Sequence, residues 1–67
     1  MQTFCIHRTE DGRLTVQAHE YIEGGWFIEI DKEYIALHEI PEGGGEPTFV
    51  AEFKTLPEAI DAALNLR

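Results

Sequence analysis

The fold is decided by residues 55–64, which read TLPEAIDAAL. Thr55 and Glu58 have the spacing of a helix capping box, and a proline is tolerated within the first helical turn. The apolar residues that follow recur at helical spacing and form one stripe: Leu56, Ala59, Ile60, Ala63 and Leu64. A helix with one apolar stripe must bury it against another layer, so the preceding residues have to supply that layer.

The residues before this helix alternate between apolar and polar side chains, which predicts β-strands. The first two strands are joined by a three-residue loop at 10–12, which ends on the glycine that such a loop requires at positive φ. This loop pairs Ile6 with Val16 and Phe4 with Ala18, so that apolar residues share one face.

A second turn, at residues 23–25, follows the same logic and assigns a positive φ to Gly25. It predicts a hairpin between the second and third strands. In this hairpin Tyr21 and Phe27 are cross-strand neighbours on the face away from the helix, and Ala18 faces Ile30.

Two further strands are predicted at residues 34–40 and 48–54, with Phe49, Ala51 and Phe53 of the last strand on one face. The predicted fold class is therefore α+β. We expect a single small domain, residues 1–67, with an antiparallel meander sheet of four to five strands and one C-terminal helix packed on one face.

Composition narrows the classes of partner. The 67 residues include 13 acids and five bases, a net charge of −8, which disfavours direct contact with nucleic acids or anionic membranes. The single cysteine, Cys5, excludes an internal disulfide and a multi-cysteine zinc site. Because the first residues also lack the pattern of a secretion signal, we expect a cytoplasmic protein.

Acidic residues are concentrated in the middle of the chain, where residues 20–46 contain eight acids and one lysine. Such a surface can simply keep a small protein soluble, or it can bind a basic partner or imitate nucleic-acid phosphates. The candidate acidic partner surface consists of Glu20, Glu23, Glu29, Asp31, Glu33 and Glu39.

A catalytic or metal site is not expected. Cys5, His7 and His19 can approach one another on one face of the first hairpin, as a thiol dyad or a zinc site would require. These residues lack an identifiable fourth ligand, and no helix N-terminus lowers the pKa of the thiol. The glycine-rich loop at 43–45 lacks the lysine and hydroxyl residue of a phosphate-binding loop. We expect no cofactor, no metal and no enzymatic activity.

A short helix covers one side of a sheet only, so aromatic residues on the other side are a candidate interface. Tyr21, Phe27 and Tyr34 are the residues assigned to it. A small domain without disulfides gains stability by association, so we expect a homodimer through this face.

Residues 53–60, FKTLPEAI, resemble the strand-to-helix junction of HicB-type antitoxin domains, as does the acidic-glycine turn of the first hairpin. The resemblance implies neutralisation of a basic RNA-cleaving toxin. We therefore consider two functions. The first is a small acidic non-enzymatic interaction protein, and the alternative is an antitoxin-like or nucleic-acid-mimicking inhibitor of a basic nucleic-acid-handling protein.

Overall fold

The protein is described by a computed structural model, which covers residues 2–17 and 22–65. It forms five strands and a C-terminal helix: β1 Gln2–Arg8, β2 Leu14–Gln17, β3 Trp26–Ile30, β4 Ile35–Glu39, β5 Thr48–Phe53 and α1 Leu56–Asn65. Neighbouring strands are antiparallel, in the order β2-β1-β3-β4-β5. The predicted α+β class, an antiparallel sheet with one C-terminal helix packed on it, is confirmed.

The first hairpin has the predicted loop and register. Ile6 pairs with Val16, and Gly12 has a φ of 85°. The Gly12 amide donates to the carbonyl of Thr9 at 3.0 Å, which closes the turn. The Thr9 hydroxyl donates to the Asp11 carboxylate, and this hydrogen bond is the main reason that the pKa of Asp11 lies below its usual value. The expected pairing of Phe4 with Ala18 lies outside the described residues.

The predicted hairpin between β2 and β3 is wrong, because β3 pairs with β1 on one side and β4 on the other. Alternation along a strand assigns its residues to faces, but it does not say which neighbour pairs with which edge. β1 therefore lies in the interior of the sheet, between β2 and β3, and its adjacent residues Cys5 and Ile6 are both buried there. Tyr21, the expected neighbour of Phe27, lies outside the described residues.

The glycines of the second turn have different roles from those expected. Gly24, and not Gly25, has the positive φ, at 79°. Gly25 instead allows a close approach of two chain segments, because a Cβ at this position would lie 2.6 Å from the carbonyl oxygen of Ile6. The central position of β1 thus explains why a glycine is needed here.

A β-bulge in β5 changes the face on which Phe49 lies. Leu37 pairs with Ala51 but His38 pairs with Phe49, so Val50 is the extra residue. Val50 packs against the hydrophobic core, whereas Phe49 is turned to the opposite face. The expectation that Phe49 shares a face with Ala51 and Phe53 is therefore wrong.

The core lies between the sheet and α1. Its largest fully buried side chains come from the sheet: Ile6, Trp26, Ile28 and Leu37. The helix contributes Ala59 and Ala63, which are completely buried, and these small side chains let the helix backbone approach the sheet closely. Leu56 and Ile60 of the predicted stripe are half-buried against the same core.

Both ends of α1 are held by side chains. The Glu58 amide donates to the Thr55 hydroxyl at 3.4 Å, and this hydroxyl donates to the Glu58 carboxylate at 2.8 Å. At the other end, the Arg8 guanidinium donates to the Leu64 carbonyl at 3.0 Å, where a positive charge complements the helix dipole. Among residues 2–17 and 22–65, no helix has the length and apolar composition needed to cross a membrane.

Candidate interaction surface

The face of the sheet turned away from α1, here called the far face, carries a row of residues that pair directly across four strands. Cys5 pairs with Phe27, Phe27 with His38, and His38 with Phe49. Paired residues point to the same side of a sheet, so these four side chains share the far face. They range from buried Cys5 in the interior of the sheet to Phe49 in β5, which is 55% exposed.

Three rings of this row are in contact, and we call Phe27, His38 and Phe49 the aromatic row. The centroid of the His38 ring lies 5.5 Å from that of Phe27, at a tilted angle. It lies 5.7 Å from the centroid of Phe49, in an edge-to-face arrangement. Both distances and angles fall in the range that favours aromatic pairs.

Glu29 holds the central ring of the aromatic row. Its Oε1 lies 2.6 Å from His38 Nε2, and the two side chains are only 26% and 17% exposed. Because a carboxylate only accepts hydrogen bonds, Nε2 carries the proton and donates it. A partly buried hydrogen bond to a charged group fixes the orientation of the ring, so the central ring of the aromatic row is preorganised.

The loop between β4 and β5 lies beside the aromatic row and forms a depression of about 430 Å³ with it. Its lining residues, which define the loop-side depression, are Phe27, His38, Gly45, Glu46 and Pro47. Gly43, Gly44 and Gly45 all have positive φ, between 90° and 108°. Such a run is accessible to glycine and strained for other residues, which explains the glycine-rich sequence of the loop.

Two of the three residues assigned to the aromatic interface lie in the part of the chain that the structure describes. Phe27 lies in the aromatic row, and Tyr21 lies outside the described residues. Tyr34 lies in the turn between β3 and β4, four residues before His38, which corresponds to about 13 Å along an extended chain. The nearby charge of Asp31 raises the pKa of Tyr34, and desolvation and a hydrogen bond with Asp31 act in the same direction.

The acidic residues also fall into separate groups. Glu23 and Glu39 flank the contact between Gly24 and Ile40 at one end of the sheet, whereas Asp31 and Glu33 lie in the turn at the other end. Glu29 is on the far face with His38, and Glu20 lies outside the described residues. The described acids therefore lie mainly toward the two ends of the sheet, and Glu39, which pairs with the core residue Trp26, is on the helix side.

Cys5 and His7 both belong to β1 and point to the far face, as expected from alternation. Cys5 is 2% exposed, and burial raises the pKa of its thiol, which favours the protonated form. His19 lies outside the described residues. Within the part of the chain that the structure describes, no three histidine, cysteine, aspartate or glutamate residues are grouped closely enough to hold a metal ion.

The comparisons with known proteins identify no relative, so the class of the protein is described by its own fold. No protein-family model matches the chain, and neither a curated protein nor a solved structure matches it. The fold and the site define a small α+β domain with a helix on one side of its sheet and an aromatic row on the other.

Sequence reasoning missed His38 and Phe49. The alternation of β5 groups Phe49 with Ala51 and Phe53, and it gives no indication of a bulge at Val50. The signal for His38 lies in the pairing of β3 with β4. Phe27 is opposite His38, so Glu29, two residues further along β3, is diagonal to His38 on the same face. This pairing reveals the contact between the histidine and the carboxylate, but the sequence alone does not provide it.

Proposed function

We propose that this chain is a non-enzymatic interaction protein that binds a basic protein partner through its far face. The observation that carries the proposal is the aromatic row, which ends in a phenylalanine that is 55% exposed on a sheet strand. Large aromatic side chains supply much of the binding energy at protein interfaces, and a fixed ring loses little conformational freedom on binding.

The charge around the aromatic row argues for a basic partner. Glu29 and Glu52 lie on the far face, and Glu46 is one of the residues that line the loop-side depression. The whole chain carries a net charge of −8. Complementary charge accelerates encounter with a basic protein and selects it over acidic ones, while the aromatic row supplies apolar contact.

Two related functions compete with this proposal. In the first, the basic partner handles nucleic acid and the chain acts as an antitoxin-like or phosphate-mimicking inhibitor. The presence of acidic residues at both ends of the sheet supports this version, because such a surface can span an extended basic site. In the second, the far face binds another copy of the chain. Charge complementarity favours the basic partner over the homodimer. We also propose a cytoplasmic location, since the free thiol of Cys5 suits a reducing compartment.

The experiment is affinity capture from cell extract with the wild-type chain and two matched variants, Phe49→Ala and Val16→Ala. Both side chains are large, apolar and exposed, but Val16 pairs with Ile6 and lies on the helix side of the sheet. We expect a basic protein to be captured by wild type and Val16→Ala, and to be lost with Phe49→Ala or at high salt. Equal capture by both variants would contradict the assignment of the far face.

A further inference from the structure

We infer that the loop-side depression binds one cationic side chain, lysine or arginine, of the partner. The inference rests on the proposed function and names the chemistry that the far face recognises. It is carried by three features of the depression: aromatic residues and an acidic residue in its lining, and a volume of about 430 Å³.

The aromatic wall favours a cation. The face of an aromatic ring carries partial negative charge, and it attracts an ammonium or guanidinium group that lies within about 6 Å of the ring centroid. Phe27 lines the depression beside His38, whose ring is held in place by Glu29. A site with preorganised rings binds a cation without first ordering its own side chains.

The remaining lining residues complement both parts of a long basic side chain. Phe27 and Pro47 provide apolar surface for the aliphatic stem of lysine or arginine. Glu46 provides a carboxylate for the charged head group, which can form a charge-assisted hydrogen bond there. An anionic ligand would face the same carboxylate and be repelled, so the charge of the site selects the sign of its ligand.

The backbone on the two sides of Glu46 is set by a glycine and a proline. Gly45 precedes it with a φ of 108°, and Pro47 follows it with a fixed φ. A Cβ on Gly45 would meet nothing within 4 Å, so the glycine is required for backbone conformation and not for space. Pro47 thus restricts the backbone of Glu46, whereas Gly45 permits the turn that precedes it.

The test is an NMR titration of the intact chain with hexa-arginine and hexalysine peptides. A hexacitrulline peptide, which resembles arginine but is uncharged, is the control ligand. We expect the cationic peptides to shift the resonances of Phe27, His38, Gly45 and Glu46, and the citrulline peptide to shift none of them. Binding of citrulline at the same residues would overturn the inference, because the site would then recognise shape without charge.

A pair of loop variants separates a specific contact from general attraction. Glu46→Gln and Glu42→Gln remove the same charge from the same loop, but only Glu46 lines the depression. We expect Glu46→Gln to weaken hexa-arginine binding about threefold, the effect of losing one partly exposed ion pair, and Glu42→Gln to have a smaller effect. Equal effects would show that net charge alone holds the peptide, and the inference would be wrong.

A third variant, Phe27→Leu, keeps an apolar side chain but removes the aromatic face. We expect it to weaken hexa-arginine binding about threefold as well. Its amide spectrum reports whether the fold is kept, and the exposed loop variant Glu46→Gln tests the inference independently of folding. If capture of the partner depends on Phe49 but not on Glu46, the proposed interaction surface is supported and the cation site is contradicted. If peptide binding depends on Glu46 but capture does not depend on Phe49, the cation site is supported and the proposed interaction surface is contradicted.

Discussion

The contact between His38 and Glu29 is the residue-scale feature that organises the far face. It joins two strands diagonally, and it holds the central ring between Phe27 and Phe49. Both groups are mostly buried, so solvent screens their interaction less than it screens a surface ion pair. The identity of each residue is evident in the sequence, but their contact depends on the pairing of β3 with β4 in a register that the sequence left open.

Replacing Glu29 with Gln tests this contact. The variant keeps the size of the side chain but loses the charge that strengthens the hydrogen bond, so we expect the free energy of unfolding to fall by about 1 kcal/mol. Urea denaturation monitored by circular dichroism measures the change. Glu52→Gln is the matched control, since Glu52 is an exposed acid on the same face. An equal response of the two variants would mean that the contact with His38 contributes nothing specific.

At the scale of elements, the sequence predicts what is local and misses what depends on strand neighbours. The Thr55 cap, the apolar stripe of α1 and the loop ending at Gly12 all follow from spacings within a few residues, and all three features are present. The Glu58 carboxylate accepts from the Thr55 hydroxyl, so the structure shows the threonine half of the predicted capping box. The position of β1 between β2 and β3 depends on a pairing between strands that are distant in the sequence. The bulge at Val50 is also not predictable from the local sequence. One extra residue moves Phe49 to the other face of the sheet, and the composition of β5 does not indicate it.

The N-terminal cap of α1 gives the prediction that belongs to this scale. Thr55→Ala removes the hydroxyl that accepts from the Glu58 amide, and we expect it to lower the free energy of unfolding by about 1 kcal/mol. Thr55→Ser retains the hydroxyl and serves as the control, with a smaller loss. Thermal and urea denaturation report both changes. If the alanine variant were as stable as the serine variant, the hydroxyl would not be contributing to the start of the helix.

At the scale of the whole molecule, the net charge of −8 and the aromatic row have opposite effects on self-association. Apolar burial on the far face favours a twofold contact between copies, whereas two chains of the same charge repel one another. A basic partner makes the same apolar contact, but its charge is attracted to the chain. The salt dependence of binding therefore distinguishes the two occupants of the far face, because screening by salt weakens binding of a basic partner and strengthens binding of a second copy.

We accordingly expect the purified chain to be monomeric at low ionic strength, where the Debye length is about 30 Å at 0.01 M salt. At about 1 M salt the Debye length falls to about 3 Å, so any self-association through the far face should strengthen. Sedimentation velocity at both salt concentrations measures this, with Phe49→Ala and Val16→Ala as the matched pair. Association that depends on Phe49 and appears only at high salt would show that the far face can self-associate, and that repulsion between the chains prevents this at low salt. A stable dimer at low salt, lost with Phe49→Ala, would instead make a second copy the occupant of the far face and contradict the choice of a basic partner, since apolar contact would then outweigh the repulsion between two chains of charge −8.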